Sequence, residues 1–421
     1  MVQVPRSPIG LILPRHIASR VDEALNDTRV VLINGARQSG KSTLVSQIAH
    51  ERKAIWRSLD HGATRQAALN DPTEFVVGEA PMVIDEIQRV PELLLAIKES
   101  VDFDPTPGHF LLTGSSRLLG LRNLPDSLPG RIETIELWPL SQGEIDQQPE
   151  NFVDDIFRVG PGLDHHSSET RETYIGRLVR GGFPEALVRS GRRRTQFLES
   201  YVSDIINRDV IQLSSVERGH ELRTLVRLLA ARSGQLLVPG TLAGELGISA
   251  PTVNRYLALL EEVFLIKRIP AWSRNLKTRA IGTSKVAFVD SGIAASQTGQ
   301  SESSLLRITS PLGGLLEGFV TMEIARQLTW SEHLVDMFHY RTKDKVEVDI
   351  VLENRQGQVV AIEVKASSTV RGEDFAGIKH LAARLGDDLV CGLVLYTGQE
   401  TLPFGPRYRA MPISSLWSRN P

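Results

Sequence analysis

Apolar and polar positions follow three rhythms along this chain. Short unbroken apolar runs, rich in β-branched residues, occur at Val30–Ile33, in PMVIDE (81–86) and in HFLLTGSS (109–116), and they predict buried strands. After the first run, Leu44, Val45, Ile48 and Ala49 recur at helical spacing, so the first third alternates strand and helix. From about 138 the chain turns helical and polar. YIGRLVRGGFPEAL and FLESYVSDIINRDVIQL carry apolar residues three and four apart, whereas 141–172, with GPGLDHHSSET, reads as a loop-rich insertion. At 241–270, TLAGELGISAPTVNRYLALLEEVFLIKRIP predicts a short helix, a turn at Gly247, a Ser249 N-cap and a second helix with Pro251 in its first turn. An apolar strand follows. LGGLLEGFVTMEIARQL reads as an amphipathic helix with Glu317 among its apolar residues, where an acid is costly unless paired or ligating.

Near the end, period-two alternation takes over. In 346–352 the even positions Val346, Val348, Ile350 and Leu352 are apolar, and the odd ones include Glu347 and Asp349. In 359–365, Val360, Ile362 and Val364 share one face, with Glu363 and Lys365 on the other. NRQGQ between them predicts an antiparallel hairpin. Asp349 and Glu363 stand opposite each other only if Glu353 pairs with Val359, which leaves the five-residue loop 354–358. An even-numbered loop without a bulge would put the two acids on opposite faces. Two carboxylates that close repel unless a cation joins them, so Mg²⁺ or Mn²⁺ is expected at Glu317, Asp349 and Glu363. Lys365 would orient water or stabilise phosphorane charge beside them.

Composition narrows the class. With 421 residues, two to four domains are expected; 41% hydrophobic and 23% charged content is that of a globular protein. One cysteine, Cys391, excludes an intrachain disulfide and a multi-cysteine zinc site. The first residues lack the apolar core of a signal peptide and no 18-residue apolar run occurs, so a cytoplasmic protein without membrane partners is expected. The net charge of −2 offers nucleic acid no general attraction, but residues 216–279 hold ten Lys/Arg against five Asp/Glu. A helix-turn-helix with that local charge predicts a winged helix over 216–280 that binds nucleic acid, DNA rather than RNA. Thr252, Asn254 and Arg255 lie early on its second helix, where a groove is read. A winged helix that serves only as a packing module is the other reading.

The most specific motif is VVLINGARQSGKSTLV (30–45), which fits GxxxxGK[ST] in strand–loop–helix order. Its loop, Gly35, Ala36, Arg37, Gln38, Ser39 and Gly40, would turn backbone amides onto the phosphates of ATP. Lys41 would reach the β/γ oxygens and Ser42 would bind Mg²⁺. Asp85, forty-four residues after Lys41, suits the Mg²⁺ shell, and Glu86 suits the group that orients the attacking water. Thr113 and Ser115, at the end of a strand expected between the other two, are candidates for sensing the γ-phosphate. Arg131 in LPGRIETIEL is either an arginine finger reaching a neighbouring subunit of a homo-oligomer or a loop arginine.

Taken in order, NGARQSGKSTL, VIDEIQRVPELLLAIK, FLLTGSS, LPGRIETIELWPLS, GGFPEAL, SKVAFVDSGIA, LLEGFV and the EVD…EVK pair resemble a prokaryotic family of AAA-type P-loop ATPases. The C-terminal domain of that family, of unknown function, has a PD-(D/E)xK restriction-endonuclease-like core. The resemblance covers nearly the whole chain, least over 141–172 and the last 15 residues. Here Val348 stands where the nuclease pattern has proline. The resemblance implies ATP binding by Gly40, Lys41, Ser42 and Thr43, hydrolysis through Asp85 and Glu86, and a candidate nuclease site at Glu317, Asp349, Glu363 and Lys365. The expected fold is therefore α/β: an AAA-like P-loop NTPase domain (1–137), a helical lid with the insertion (138–215), a winged helix (216–280) and a nuclease-like α/β domain (281–421). The expected function is a Mg²⁺-dependent ATPase that binds nucleic acid and gates a metal-dependent nuclease. Two alternatives stay open: an ATP-controlled signalling or assembly switch whose C-terminal domain binds a partner without catalysis, and a DNA-binding regulator.

Overall fold

The chain is described as a computed structural model over residues 10, 12–115, 128–210 and 219–418. Ser116 and the 215/216 boundary lie outside the described residues. The chain divides into two compact units. One holds 1–140 with 183–188 and 262–264, and the other holds 141–182, 189–261 and 265–421. The segments expected as lid, winged helix and C-terminal domain thus fall largely in one unit.

The first unit is built on five parallel strands, β1 (Val30–Asn34), β2 (Ile55–Ser58), β3 (Met82–Asp85), β4 (Phe110–Gly114) and β5 (Ile132–Glu136), in the order β2-β3-β4-β1-β5. The inserted strand is β4, between β1 and β3, as expected. β1, β3 and β4 are buried along their whole length, which is why they read as unbroken apolar runs rather than alternating ones. Helix Leu93–Phe103 packs Leu93, Leu94, Ile97 and Val101 onto this sheet. Each such side chain contributes about 1.5–3 kcal/mol by leaving water.

In the second unit, helix Gly219–Ala231, helix Pro239–Leu246 and helix Ala250–Glu262 precede an antiparallel pair, β6 (Ile266–Ile269) and β7 (Lys285–Phe288). Leu236 forms an isolated antiparallel bridge to Lys285. Gly247 takes φ +64° at the end of the second helix, the left-handed turn that the sequence marked. A six-stranded sheet follows, made of β8 (Val335–Arg341), β9 (Glu347–Asn354), β10 (Val359–Lys365), β11 (Leu389–Tyr396), β12 (Leu402–Gly405) and β13 (Tyr408–Pro412), in the order β12-β13-β11-β10-β9-β8.

Two expectations need correction. The insertion at 141–172 contains helix Gln142–Asp146 and helix Phe152–Val159, the first closed by a capping box between Ser141 and Glu144. Helix Leu312–Gln327 is not amphipathic. From Gly318 to Gln327 every residue is buried, because the helix packs against β7, β10 and helix Ser291–Gln297 at once. Its polar residues are matched inside. Arg326 donates to Glu323 Oε1 at 2.8 Å and Glu323 Oε2 accepts from Gln142 N at 3.0 Å.

The two glycines that open GGFPEAL meet the VDSGIA motif in one joint. Asp290 is fully buried, caps helix Ser291–Gln297 through Ile293 N (3.1 Å) and accepts Gly182 N at 2.6 Å. Burial pushes its carboxyl above the ordinary value against these donors. Gly181 sits at φ +70°, and a Cβ there would fall 2.3 Å from Asp290 Oδ1. Gly181→Ala is therefore expected to destabilise the chain by about 2–4 kcal/mol, from backbone strain plus displacement of a buried carboxylate. A melting temperature equal to wild type would show that the joint can open without cost.

Candidate active site and carboxylate cluster

The nucleotide loop is shaped by its neighbours. Gly40 adopts φ +100°, a conformation closed to other residues, and a Cβ on Gly35 would fall 2.1 Å from Leu137 O. Both glycines are therefore required by geometry, one by its backbone angle and one by close approach. Helix Lys41–Glu51 starts at the end of this loop, so its free N–H groups face the place where phosphate would lie. Lys41 is buried and donates from Nζ to Gly35 O (2.9 Å) and Ala36 O (2.8 Å), held across the loop by backbone carbonyls. Arg37, Gln38 and Ser39 lie within the loop, and Thr43 lies in the helix's first turn. Gln38 is at φ 60°.

The acids at the end of β3 join the same centre. Ser42 Oγ donates to Asp85 Oδ1 at 3.0 Å, and Thr113 Oγ1 donates to the same oxygen at 2.6 Å. Thr113 also accepts the backbone N–H of Glu86 at 2.9 Å. Glu86 stands at φ 62°, a left-handed conformation uncommon for a glutamate, and that turn points it away from the strand direction. Ser115 receives a hydrogen bond from Gln88 Nε2 at 2.7 Å, and the same nitrogen donates to Glu86 Oε2. Thr113, expected to sense the γ-phosphate, thus commits its hydroxyl to Asp85 and the Glu86 backbone. Ser42 and Asp85, one hydroxyl and one carboxylate within hydrogen-bond distance, fit the donor set for Mg²⁺.

Sequence reasoning missed one arginine here. Arg15 donates from Nη1 to Ser39 O at 2.9 Å and from Nη2 to Trp138 O at 2.7 Å, bracing the loop against the chain after β5. No spacing rule links residue 15 to the loop. Arg131, in turn, is engaged inside its own chain. It pairs with Asp102 of helix Leu93–Phe103 and donates to Pro129 O at 3.2 Å. The Arg131 guanidinium, with Lys98 beside it, holds the Asp102 carboxyl below the usual carboxylate value.

On helix Ala250–Glu262, Ser249 Oγ accepts Thr252 N at 3.2 Å and lies 2.8 Å from Thr252 Oγ1. Ser249 therefore caps the helix, and Thr252 is engaged with that cap. Asn254 and Arg255 are exposed, with the Arg255 guanidinium 5.7 Å from the Tyr256 ring centre.

The C-terminal hairpin has the register its parity required. Val359 pairs with Glu353, Val360 with Leu352, Ala361 with Val351 and Ile362 with Ile350. The acids do gather, but around a residue the sequence did not flag. Lys285 of β7, with its side chain 4% exposed, places Nζ 2.7 Å from Glu317, 2.6 Å from Glu347 and 3.1 Å from Asp349. Asp349 Oδ2 accepts Val364 N at 3.0 Å, and the second oxygen of Glu347 takes Arg341 at 2.6 Å. Glu363 pairs with Lys365 at 3.1 Å, and Lys365 also faces Asp374 at 3.8 Å. Burial opposes the Lys285 charge, but Glu317, Asp349 and Glu347 outweigh it and raise its pKa above the ordinary lysine value. Burial, then repulsion from Asp349, pushes Glu317 up to about 8 and Glu363 up to about 7.

This donor set fits an ammonium. A divalent ion at Glu317 and Asp349 would have to displace Lys285 from the carboxylates it neutralises. Among the described residues, no group of three or more His, Cys, Asp and Glu side chains is arranged to hold a metal. The expected metal site at Glu317, Asp349 and Glu363 therefore does not fit, because its cation comes from the chain itself.

Three segments of the chain are similar to known families. Residues 27–146 match the family model of an AAA domain, 171–304 a domain of unknown function (DUF8612) and 312–416 a second (DUF4143). An uncharacterized protein of Mycobacterium tuberculosis is 27% identical over 415 residues, covering 96% of this chain and 85% of its own. One from Haemophilus influenzae is 24% identical over 71% of this chain and 74% of its own. Among solved structures, a Walker-type ATPase of Pyrococcus abyssi superposes with TM-score 0.44 at 16% identity, over 70% of this chain and 99% of its own. The Thermotoga maritima RuvB branch-migration motor gives 0.29 at 23% identity, over 64% and 94%. These superpositions are partial and assign nothing beyond the family models. Among the described residues no helix is long and apolar enough to cross a membrane. Residues 27–146 are thus similar to an AAA domain, and the two segments that follow are similar to domains of unknown function.

Proposed function

We propose that this chain is a Mg²⁺-dependent ATPase that binds nucleic acid, DNA in preference to RNA, and whose C-terminal domain binds a partner without metal-dependent catalysis. The observation that carries the first part is the chain of hydrogen bonds from Ser42 through Asp85 and Thr113 to Glu86, at the mouth of a loop whose lysine is already oriented. Ser42 and Asp85 would hold Mg²⁺, which when bound neutralises phosphate charge. Lys41 would move from its loop carbonyls to the β/γ oxygens, and the loop and first-turn amides would position the phosphates. Glu86 would orient the attacking water and take its proton.

The nucleic-acid part rests on helix Gly219–Ala231, the Leu236 bridge, two further helices and the β6–β7 pair, an order that supports a winged helix. Asn254 and Arg255 are its exposed reading residues. Lys285 fills the carboxylate cluster that a metal-dependent nuclease step would need for its ion. That observation favours the non-catalytic reading of the C-terminal domain. Arg131, paired with Asp102, takes no part in this scheme.

Glu86→Gln is expected to bind ATP with wild-type affinity while lowering phosphate release by about 10²-fold or more. The paired change Asn254→Ala, Arg255→Ala is expected to weaken binding of labelled duplex DNA by about tenfold in fluorescence anisotropy, at fixed salt. If neither DNA nor RNA binds the wild-type chain, the nucleic-acid part is lost. If no phosphate is released, the ATPase part is.

A further inference from the structure

We infer that Gln88 is a positioning residue for hydrolysis, holding the Glu86 carboxylate against the end of β4; this rests on the ATPase reading above. Gln88 lies two residues past Glu86, in the 3₁₀ turn Ile87–Arg89. That turn is anchored on both sides of Gln88. Ile87 is buried, and Arg89 pairs with Asp60 at 2.5 Å while its N–H reaches Glu86 O at 3.0 Å.

From this fixed base the amide nitrogen of Gln88 donates to both Glu86 Oε2 and Ser115 Oγ. The opposite amide orientation would set oxygen against the carboxylate oxygen, so the nitrogen faces Glu86. The backbone of Glu86 is held separately, through Thr113. Two different side chains therefore fix the two ends of the same glutamate. Thr113 sets its backbone turn, and Gln88 sets where its carboxylate points.

The consequence follows from the sheet order. β4 lies between β3, which carries Asp85 and Glu86, and β1, which leads into the phosphate loop. A carboxylate drawn toward Ser115 is drawn toward the strand beside the loop, the side on which a γ-phosphate and its attacking water would lie. Left without Gln88, the Glu86 carboxylate has several rotamers open to it, and a misdirected base costs rate without costing affinity. The remaining amide oxygen, Gln88 Oε1, is buried without a partner among the described residues, an acceptor of the kind a water beside Glu86 would use. Gln88 also couples the strand-end hydroxyl of Ser115 to the base, so a phosphate that recruits Ser115 changes what Gln88 can offer Glu86.

The test is steady-state Mg-ATP turnover with parallel binding of a fluorescent ATP analogue. Gln88→Ala is expected to lower kcat by about 10- to 100-fold, with KM and analogue affinity within about twofold of wild type. Gln88→Glu, the same length but an acceptor facing an acceptor, is expected to fall at least as far. In a Glu86→Gln background, Gln88→Ala is expected to lower the residual rate no further, because the group it positions is gone. A merely structural Gln88 would instead lower analogue binding and add its full effect in that background. Either result, or wild-type kcat in Gln88→Ala beside an active wild-type enzyme, overturns the inference while leaving the ATPase intact. An inactive wild-type chain overturns both.

Discussion

Lys41→Ala is expected to abolish ATP turnover, with rates at the buffer background, and to weaken ATP binding by at least about 10²-fold. The ammonium of this lysine is already stored beside the loop, on Gly35 O and Ala36 O, with its stem buried. Removing it leaves those carbonyls without that donor and takes away the charge that faces the β/γ oxygens. In a site screened from water, one charge-assisted contact of this kind is worth several kcal/mol of transition-state stabilisation. The change is legible against Glu86→Gln, which should keep affinity and lose rate. Phosphate release and nucleotide binding measured on both variants check it. Wild-type turnover in Lys41→Ala would remove the nucleotide assignment altogether.

Lys285→Ala is expected to be the most destabilising single change in the second unit, at about 3–5 kcal/mol, because Glu317, Glu347 and Asp349 would lose the buried ammonium they share. Thermal unfolding of the full chain reads this loss, and an unchanged transition would show that the cluster is not held together by the ammonium. A second change in the cluster should soften the effect. Asp349→Asn in the Lys285→Ala background removes one unbalanced charge and is expected to recover part of the loss.

The same cluster sets a pH dependence. Glu317 and Glu363 keep their protons to about pH 8 and 7 in the folded chain, against an ordinary value of 4.5. Folding therefore takes up protons between about pH 4.5 and 8, and stability falls as pH rises through that window. The groups that face Glu317 and Glu363 are Lys285, Glu347, Asp349, Lys365, Asp374 and Arg341. Glu150, Glu323 and Asp290 are shifted upward by burial elsewhere and push the same way. Glu317→Gln is the control that isolates the cluster. Its melting temperature should fall less than that of wild type between pH 6 and pH 8.5.

Much of the first unit could be read from the sequence, because there the signals are local. Gly35 and Gly40, Lys41 and Ser42 are fixed by a loop that has few backbone solutions, and the adjoining strand and helix announce themselves by period. The hairpin register 353–359 was also legible, because side chains alternate faces and a slip of one residue would put Asp349 and Glu363 on opposite faces. Helix Leu312–Gln327 was harder. Its buried Glu323, Arg326 and Gln327 look like a solvent face in sequence, and only partners distant in the chain make their burial tolerable.

What the sequence determined by itself was the nucleotide loop, the acids behind it and the pairing of β9 with β10, since each depends on backbone geometry over a few residues. Tertiary structure decided which charges meet. Lys285 stands 32 residues before Glu317 and 64 before Asp349, a separation no periodicity connects, yet packing of β7 against helix Leu312–Gln327 brings its ammonium among the acids. A carboxylate pattern specifies a need for positive charge. Only the fold shows that a lysine of the same chain supplies it.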